Sequence, residues 1–563
     1  LLNQTLDKIP ENMEMRNFAV NIHHDEDSLK FFAPTATIDD GDLKSSIVVN
    51  KKESVWHVNG TVHPSDKQLA FKLFAEGKKV ELPLLEKKLK LKLNFDTIGT
   101  ELKRVERSGE ELRIYGSWTV KNLLINHEAI AANNIIVPAG SIDANMFVGE
   151  NYVSIDSSSV IHLKNIKANP YIKYTLFPKK IYELKLHTDE LDAQELFNSF
   201  PIGLFETLEG IKVAGKLQYD LSFYLDETKP DRVKFESSLR GTDFRVIEWG
   251  RTDLGKINNT FVYTPYEYGK PMRDITIGPQ NPSYTPLNEI SPNLKNALLT
   301  AEDPSFFSHK GFVEESIRKS IATNFKEKAF KRGGSTISMQ LVKNVFLNRQ
   351  KTIARKIEEI LIVWLMENTK VSSKQRMFEV YLNLIEWGRN VYGIGEASRY
   401  YFDKHPSQLT LGEGIFLASI VPRPKQSLYF FQADGSLRSG LRGYFKLIGN
   451  LMAKRGLTAP DTNAYGFYGV QLKESLRRQI APVDTAVTDS TLILDEDEFD
   501  EHESFLERIF GRGKRRDTVT LEQLNKKEKP TEDSVKTPEE RRQERREERR
   551  RRRREGGGIL DIF

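Results

Sequence analysis

The sequence predicts a multi-domain chain of mixed α and β class: an all-β N-terminal domain, a helical domain after it, and a disordered charged tail. Three observations point there. Period-two alternation recurs through the first 245 residues, a helical period takes over across 294–457, and the end of the chain runs into blocks of single charge. With 563 residues the chain also exceeds one ordinary domain. We therefore expect a β-rich domain over 1–245, a linker over 246–285, a helical domain over 286–460 and a tail over 461–563.

The strands come first. Leu89, Leu91, Leu93 and Phe95 alternate with Lys88, Lys90, Lys92 and Asn94. A longer run has Ile211, Val213, Leu217, Tyr219, Leu221, Phe223 and Leu225, with Gly215 in the missing place. Shorter pieces recur at 55–62, 69–73, 112–118 and 233–239. Each gives one apolar and one wet face, and the Gly, Asp, Asn and Pro between them predict a large antiparallel sheet. A helix is expected at 190–198. Residues 261–292, rich in Pro, Gly, Tyr and Asn, read as a connection. Helices follow, with Ile353, Ile357, Ile360, Leu361 and Trp364 spaced as one apolar stripe. Beyond Pro460 the chain turns polar, then acidic at 495–501, then basic at 541–554, with one short helix expected at 501–510.

Composition closes some options. Hydrophobic residues make up 39% of the chain, enough to build cores. There is no cysteine, which excludes disulfides and thiolate metal sites. The net charge of +5 is small and hides the segregated tail. No run approaches the ~20 apolar residues of a spanning helix. Because the chain starts at Leu1, an anchor or signal segment is expected to lie outside this sequence.

Three constellations carry chemistry. Glu302 and Asp303 stand before Phe306, His309 and Gly311; alone, the two acids would read as charge at a helix start near Pro304. Gly333 and Gly334 precede Ser335 and Thr336, either of which can cap a helix whose N–H groups favour phosphate. Gln340, Lys343 and Asn344 lie on one face of that helix, and an ordinary capped amphipathic helix accounts for them equally well. Lys351, Arg355 and Glu359 share a face at i, i+4 and i+8, next to Lys356. That face fits a solvated ion-pair ladder or a grip on pyrophosphate with a carboxylate beside it.

In order, EDPSFFSHKG, GGSTISMQLVKN, RKIEE, FEVYLNLIEWGRNVYGIGEASRYYF and LTLGEGIFLASIVPRPK resemble the five successive motifs of the peptidoglycan glycosyltransferases, especially the monofunctional biosynthetic transglycosylases. The resemblance covers about a third of the chain, and no transpeptidase signature follows it. It implies a lysozyme-like helical fold, with Glu302 as general base and Glu359 as a second catalytic carboxylate. It assigns Asp303, Phe306, His309, Ser335, Thr336, Gln340, Lys343, Asn344, Lys351, Arg355 and Lys356 to substrate binding. Two departures touch substrate affinity: Met339-Gln340 replaces the usual Gln-Gln, and Lys351 stands where Arg is common, keeping charge but not a bidentate grip.

The implied reaction is polymerisation of lipid II, by inverting transfer to the 4-hydroxyl of the acceptor sugar with loss of lipid pyrophosphate. Expected partners are lipid II, the growing glycan strand and the bacterial membrane, at the periplasmic face of the cytoplasmic membrane, with no nucleic acid. A divalent cation, Mg or Mn, is an expected cofactor with unknown ligands. A rival wall-cleaving enzyme of similar fold would need no cations at Lys343, Lys351 and Arg355. A second rival, a non-catalytic lipid-binding scaffold, would not need Glu302 and Glu359.

Two further segments bear on lipid. Val313, Ile317, Ile321 and Phe325 share a face beside Arg318, Lys319, Lys326, Lys328, Lys331 and Arg332, which suits either an anionic membrane surface or packing on the domain itself. The stretch ELKLHTDELDAQELFNSFPIGLFETLEGIKVAGKLQYDLSFYL resembles AsmA-like envelope proteins. That resemblance implies a β-groove for a lipid ligand, here lined by Leu217, Tyr219, Leu221 and Phe223; a β-rich spacer or docking module is the alternative.

Overall fold

A computed structural model describes residues 10, 12–24, 27–50, 54–77, 79–82, 85–86, 89–267, 269–327, 333–348, 350 and 352–480. The tail beyond 480, the helix expected at 501–510, and Lys328, Lys331, Arg332 and Lys351 lie outside the described residues.

Among the described residues seventeen strands, from Met13–His24 to Lys234–Glu248, join one sheet. Their pairings are antiparallel and run mostly between neighbours in sequence, as expected of a meander. The alternation puts like with like: Leu184 sits opposite Phe223, and Phe223 opposite Phe235. In strand Lys212–Asp226 the register shifts between Ala214 and Lys216. Gly215 there has φ +96°, and a Cβ would lie 2.5 Å from the Asp243 carbonyl, so glycine makes the bulge possible.

Two local expectations shift. The alternating run at 89–95 is a strand only over Lys92–Phe95, because Lys90 takes φ +52° and turns the chain. The helix expected at 190–198 is α1 (Ala193–Ser199); Leu191–Asp192 is still strand, and the Asp192 carboxylate caps the helix by accepting from the Glu195 N–H at 2.9 Å.

The helical part comprises α2 (Pro292–Glu302), α3 (Glu314–Glu327), α4 (Ile337–Val345), α5 (Ile353–Asn368), α6 (Lys374–Leu384), α7 (Ile394–Phe402), α8 (Leu411–Ile420) and α9 (Arg442–Lys454). At its centre α8 is buried nearly all round, capped by a Thr410–Glu413 box and packed on α2. A Cβ on Gly414 would sit 2.9 Å from the Leu294 nitrogen, so glycine lets these helices touch. No helix among the described residues is long and apolar enough to cross a membrane.

One core runs from Ala193 to Leu476, through strands and helices alike. Residues 246–285, expected as a linker, supply Leu254, Ile257, Tyr263, Ile275 and Ile277 to it. Arg376 of α6 holds this stretch by donating to the Ile257 and Asn259 carbonyls at 2.7 and 3.1 Å. Residues 461–480, assigned above to a disordered tail, instead return to the core: Tyr465 lies over Gly449 of α9, where a Cβ would meet its ring at 2.1 Å. Their aromatic side chains bury enough apolar surface to order the segment.

The face of α3 finds a partner within the protein. Ile321 and Phe325 pack with Phe223, Leu225, Val233 and Tyr182 of the sheet, and Lys326 pairs with Asp231 at 2.5 Å. At these residues the apolar face packs on the N-terminal sheet, where the sequence reading offered a membrane surface or the helix's own domain.

Candidate active site

Glu302 is the last residue of α2, and the chain turns sharply after it. Arg455, just beyond α9, holds both sides of that turn, donating to Thr300 Oγ1 at 3.0 Å and to the Pro304 carbonyl at 2.8 Å. Glu302 Oε2 accepts from Gln340 Nε2 at 2.9 Å, and Gln340 Oε1 accepts from the Tyr381 hydroxyl at 2.9 Å. Tyr381 is fully buried, and burial, with the charges of Glu302 and Asp303, holds its pKa well above the ordinary value. It therefore keeps its proton and donates, which fixes the Gln340 amide with its NH2 toward Glu302. Burial pushes the Glu302 carboxyl up; the Gln340 hydrogen bond and the Lys343 charge oppose the rise, while Asp303 adds to it. The result is an oriented carboxylate in a partly dehydrated place, the setting of a general base.

Asp303 faces inward. Its side chain is 2% exposed and accepts from His309 Nε2 at 2.9 Å and from the Ile337 N–H at 3.1 Å. His309 Nδ1 accepts from the Gly311 N–H at 2.9 Å, so the ring proton sits on Nε2. Asp303 thus ties the loop after α2 to the first turn of α4. Gly311 at φ +87° completes that loop, where a Cβ would meet Val363 at 2.4 Å. Phe306 is buried against Phe378 at 5.7 Å, with Lys374 Nζ 4.3 Å above its ring. Thr336 caps α4: its hydroxyl accepts from the Met339 N–H at 3.3 Å and donates to the Gly311 carbonyl at 2.6 Å. Ser335 is exposed beside it. Asn344 Nδ2 donates to the Gln340 carbonyl at 2.9 Å, and Lys343 is exposed on the same helix.

On α5, which packs against α4, Glu359 is 1% exposed and fully engaged. Arg355 Nη1 donates to one oxygen at 2.9 Å, and Lys356 Nζ to the other at 2.6 Å. Each carboxylate oxygen accepts from a cation, so Glu359 is placed to orient Arg355 and Lys356. Arg355 is largely buried, and its Nε has no hydrogen-bond partner among the described residues. A buried donor left over on a fixed guanidinium is what an incoming anion would satisfy.

The expected residues therefore form two clusters: Glu302 with Gln340 and Lys343, and Arg355 with Lys356 and Glu359. Asp303, His309, Thr336 and Phe306 brace the first from beneath. Motif reading singled out neither Tyr381 nor Arg455. Tyr381 stands within FEVYLNL, where its polar tip in an apolar helix was the available signal. Tyr444 of α9, whose pKa is raised by burial and by the Glu302 charge, carried no signal in the sequence. Among the described residues no group of three or more His, Asp or Glu side chains is placed to hold a metal ion. Asp303, the acid next to Glu302, is already committed to His309 and the Ile337 N–H.

The part of the chain that holds both clusters, residues 268–438, matches the transglycosylase family model. The chain is 46% identical over 142 residues to a biosynthetic peptidoglycan transglycosylase of Chromobacterium violaceum, covering 25% of this chain and 61% of that protein. It is 42% identical over 149 residues to the enzyme of the same name from Methylobacillus flagellatus, covering 26% and 64%. A third, from Paraburkholderia xenovorans, is 40% identical over 154 residues, covering 27% and 62%. The chain thus spans about three fifths of the length of these curated relatives.

Proposed function

We propose that this chain is a peptidoglycan glycosyltransferase that polymerises lipid II at the periplasmic face of the bacterial cytoplasmic membrane. The observation that supports it most is Glu302 held by Gln340 and Tyr381, its carboxyl pushed up by burial. The acceptor's 4-hydroxyl oxygen attacks C1 of the donor sugar, and Glu302 takes the hydroxyl proton. The bond from C1 to the phosphate oxygen breaks, and the lipid pyrophosphate leaves with the electron pair. Attack from the face opposite the leaving group inverts C1. Lys343, Arg355 and Lys356 stabilise the departing charge, with Arg355 Nε as a donor ready for it. Lys351 belongs to this group by its place in the motif. A magnesium or manganese ion would take most of its ligands from pyrophosphate oxygens and water.

The test is direct. The full chain is incubated with labelled lipid-linked disaccharide-peptide, and products are resolved by gel. A ladder of glycan polymers is expected; no product longer than the substrate, under conditions where a known transferase works, overturns the reading.

A second reading concerns the N-terminal sheet, whose strand pattern resembles AsmA-like proteins. Its apolar face presents Ile172, Leu184, Phe223 and Phe235 across paired strands, and Ile172 remains exposed. Such a face suits lipid chains. Of the lining residues expected, Leu217 is fully buried opposite Gly241 and Phe223 packs with Ile321 and Phe325 of α3, which leaves Tyr219 and Leu221. Native mass spectrometry of the full chain should show bound phospholipid or polyprenyl lipid; a lipid-free chain from a lipid-rich preparation favours the spacer reading.

A further inference from the structure

The helix that carries Arg355, Lys356 and Glu359 is held along its length by the N-terminal half of the chain. At its start, the Ile353 and Ala354 N–H groups donate to the Ala129 and Ile130 carbonyls at 3.0 and 2.9 Å. These are first-turn donors that the helix itself cannot satisfy. In its middle, Glu358 is 5% exposed, and its Oε1 accepts from the backbone N–H groups of Thr207 at 2.6 Å and Leu208 at 3.3 Å. The Thr207 hydroxyl donates to the Phe346 carbonyl at the end of α4, at 3.1 Å. Further along, Trp364 Nε1 donates to the Leu239 carbonyl at 2.7 Å, and its ring meets Phe244 edge-on at 5.1 Å.

We infer that segments 129–130, 207–208 and 239–244 form a frame that sets the rotation of α5, with Glu358 as the positioning residue. Every one of these segments lies outside residues 268–438, the part that matches the transglycosylase family model. The inference rests on the proposed transfer reaction for its kinetic consequence, though not for its structural one. Glu358 and Glu359 are adjacent on the helix, so a carboxylate fixed at the first sets the direction of the second. Side-chain tips lie about 5–6 Å from a helix axis, so a turn of about 10° moves them by about 1 Å. A misplacement of ~1 Å can lower a rate by ~100-fold. Burial raises the Glu358 pKa while the Thr207 and Leu208 N–H groups oppose the rise, consistent with a carboxylate kept dry for these two donors.

The experiment compares full-length parent, Glu358→Ala, Glu358→Gln and Trp364→Phe. Amide hydrogen exchange across 353–360 reads the helix without substrate; turnover of labelled lipid-linked disaccharide gives kcat and KM separately. Glu358→Ala should speed exchange across α5 and lower kcat at least ~10-fold, with a smaller change in KM. Glu358→Gln keeps an oxygen for the two N–H groups and should restore both readouts most of the way. Trp364→Phe keeps the ring and loses the donor, and should move both in the same direction by less; it decides the matter if Glu358→Ala fails to fold. Unchanged exchange and kcat in Glu358→Ala overturn the inference, as does a Glu358→Gln protein no better than the alanine variant. An inactive parent would refute the proposed reaction instead, and the exchange data would still judge the frame.

Discussion

Replacing Glu359 by Gln removes the carboxylate that pairs with both Arg355 and Lys356. Each charge-assisted hydrogen bond is worth roughly 1.5–3 kcal/mol. The Arg355 bond counts nearly in full, since that side chain is 15% exposed. Lys356 is 42% exposed, and water screens its share to about 0–1 kcal/mol. The amide oxygen of Gln keeps one acceptor, but the buried guanidinium loses its neutralising partner, so we expect a net loss of about 2–4 kcal/mol. Urea unfolding of parent, Glu359→Gln, Arg355→Met and the double variant measures it as a cycle. The coupling between the two sites should be about 1.5–3 kcal/mol. Polymerisation should fall with it, because Arg355 and Lys356 lose their aim. A coupling near zero, or a Glu359→Gln protein as stable and active as the parent, would refute the view that this carboxylate works by holding the cations.

Two further outcomes follow from the Glu302 cluster. Tyr381→Phe frees the Gln340 amide, and kcat should drop about 10-fold by the misplacement argument, with little change in KM; steady-state kinetics check this, and an unchanged kcat would mean that the tyrosine only fills space. The pH dependence has a definite sign. Because burial raises the Glu302 pKa above its ordinary 4.5, the folded state holds that proton more tightly. Its contribution to stability is present below the ordinary value and lost as pH rises through the folded one. Glu302→Gln should therefore gain Tm relative to the parent as pH rises through that window, and a difference flat with pH would contradict it.

Sequence and structure agree on which site residues come together and differ on what surrounds them, for physical reasons. Glu302, Gln340, Lys343, Arg355 and Glu359 were legible because their chemistry comes as ordered motifs. The stripe on α5 misled: Ile357 and Ile360 are 43% and 41% exposed, while Glu358 and Glu359 are buried. Hydrophobic periodicity assumes that charge faces water, and here the backbone N–H groups of 207–208 and the cations of α5 satisfy both acids inside the protein. The same blindness made 246–285 look like a linker. Leu254, Ile257, Ile275 and Ile277 are buried by a neighbour distant in sequence, and no local period records that. Strands were placed well: the runs expected at 55–62 and 69–73 are the paired strands Ser54–His63 and Gln68–Ala75.

The central claim is that Glu302 removes the proton from the acceptor hydroxyl. The decisive measurement is the rate of lipid II polymerisation by full-length Glu302→Gln beside the parent, with circular dichroism and Tm confirming an intact fold. The amide keeps the size of the side chain and an oxygen for Gln340, so the structure should hold. Loss of a general base costs ~10²–10⁴-fold in rate, which is about 3–5 kcal/mol of barrier. A folded variant slowed by that factor is the result expected; one that polymerises within a few-fold of the parent would contradict the account.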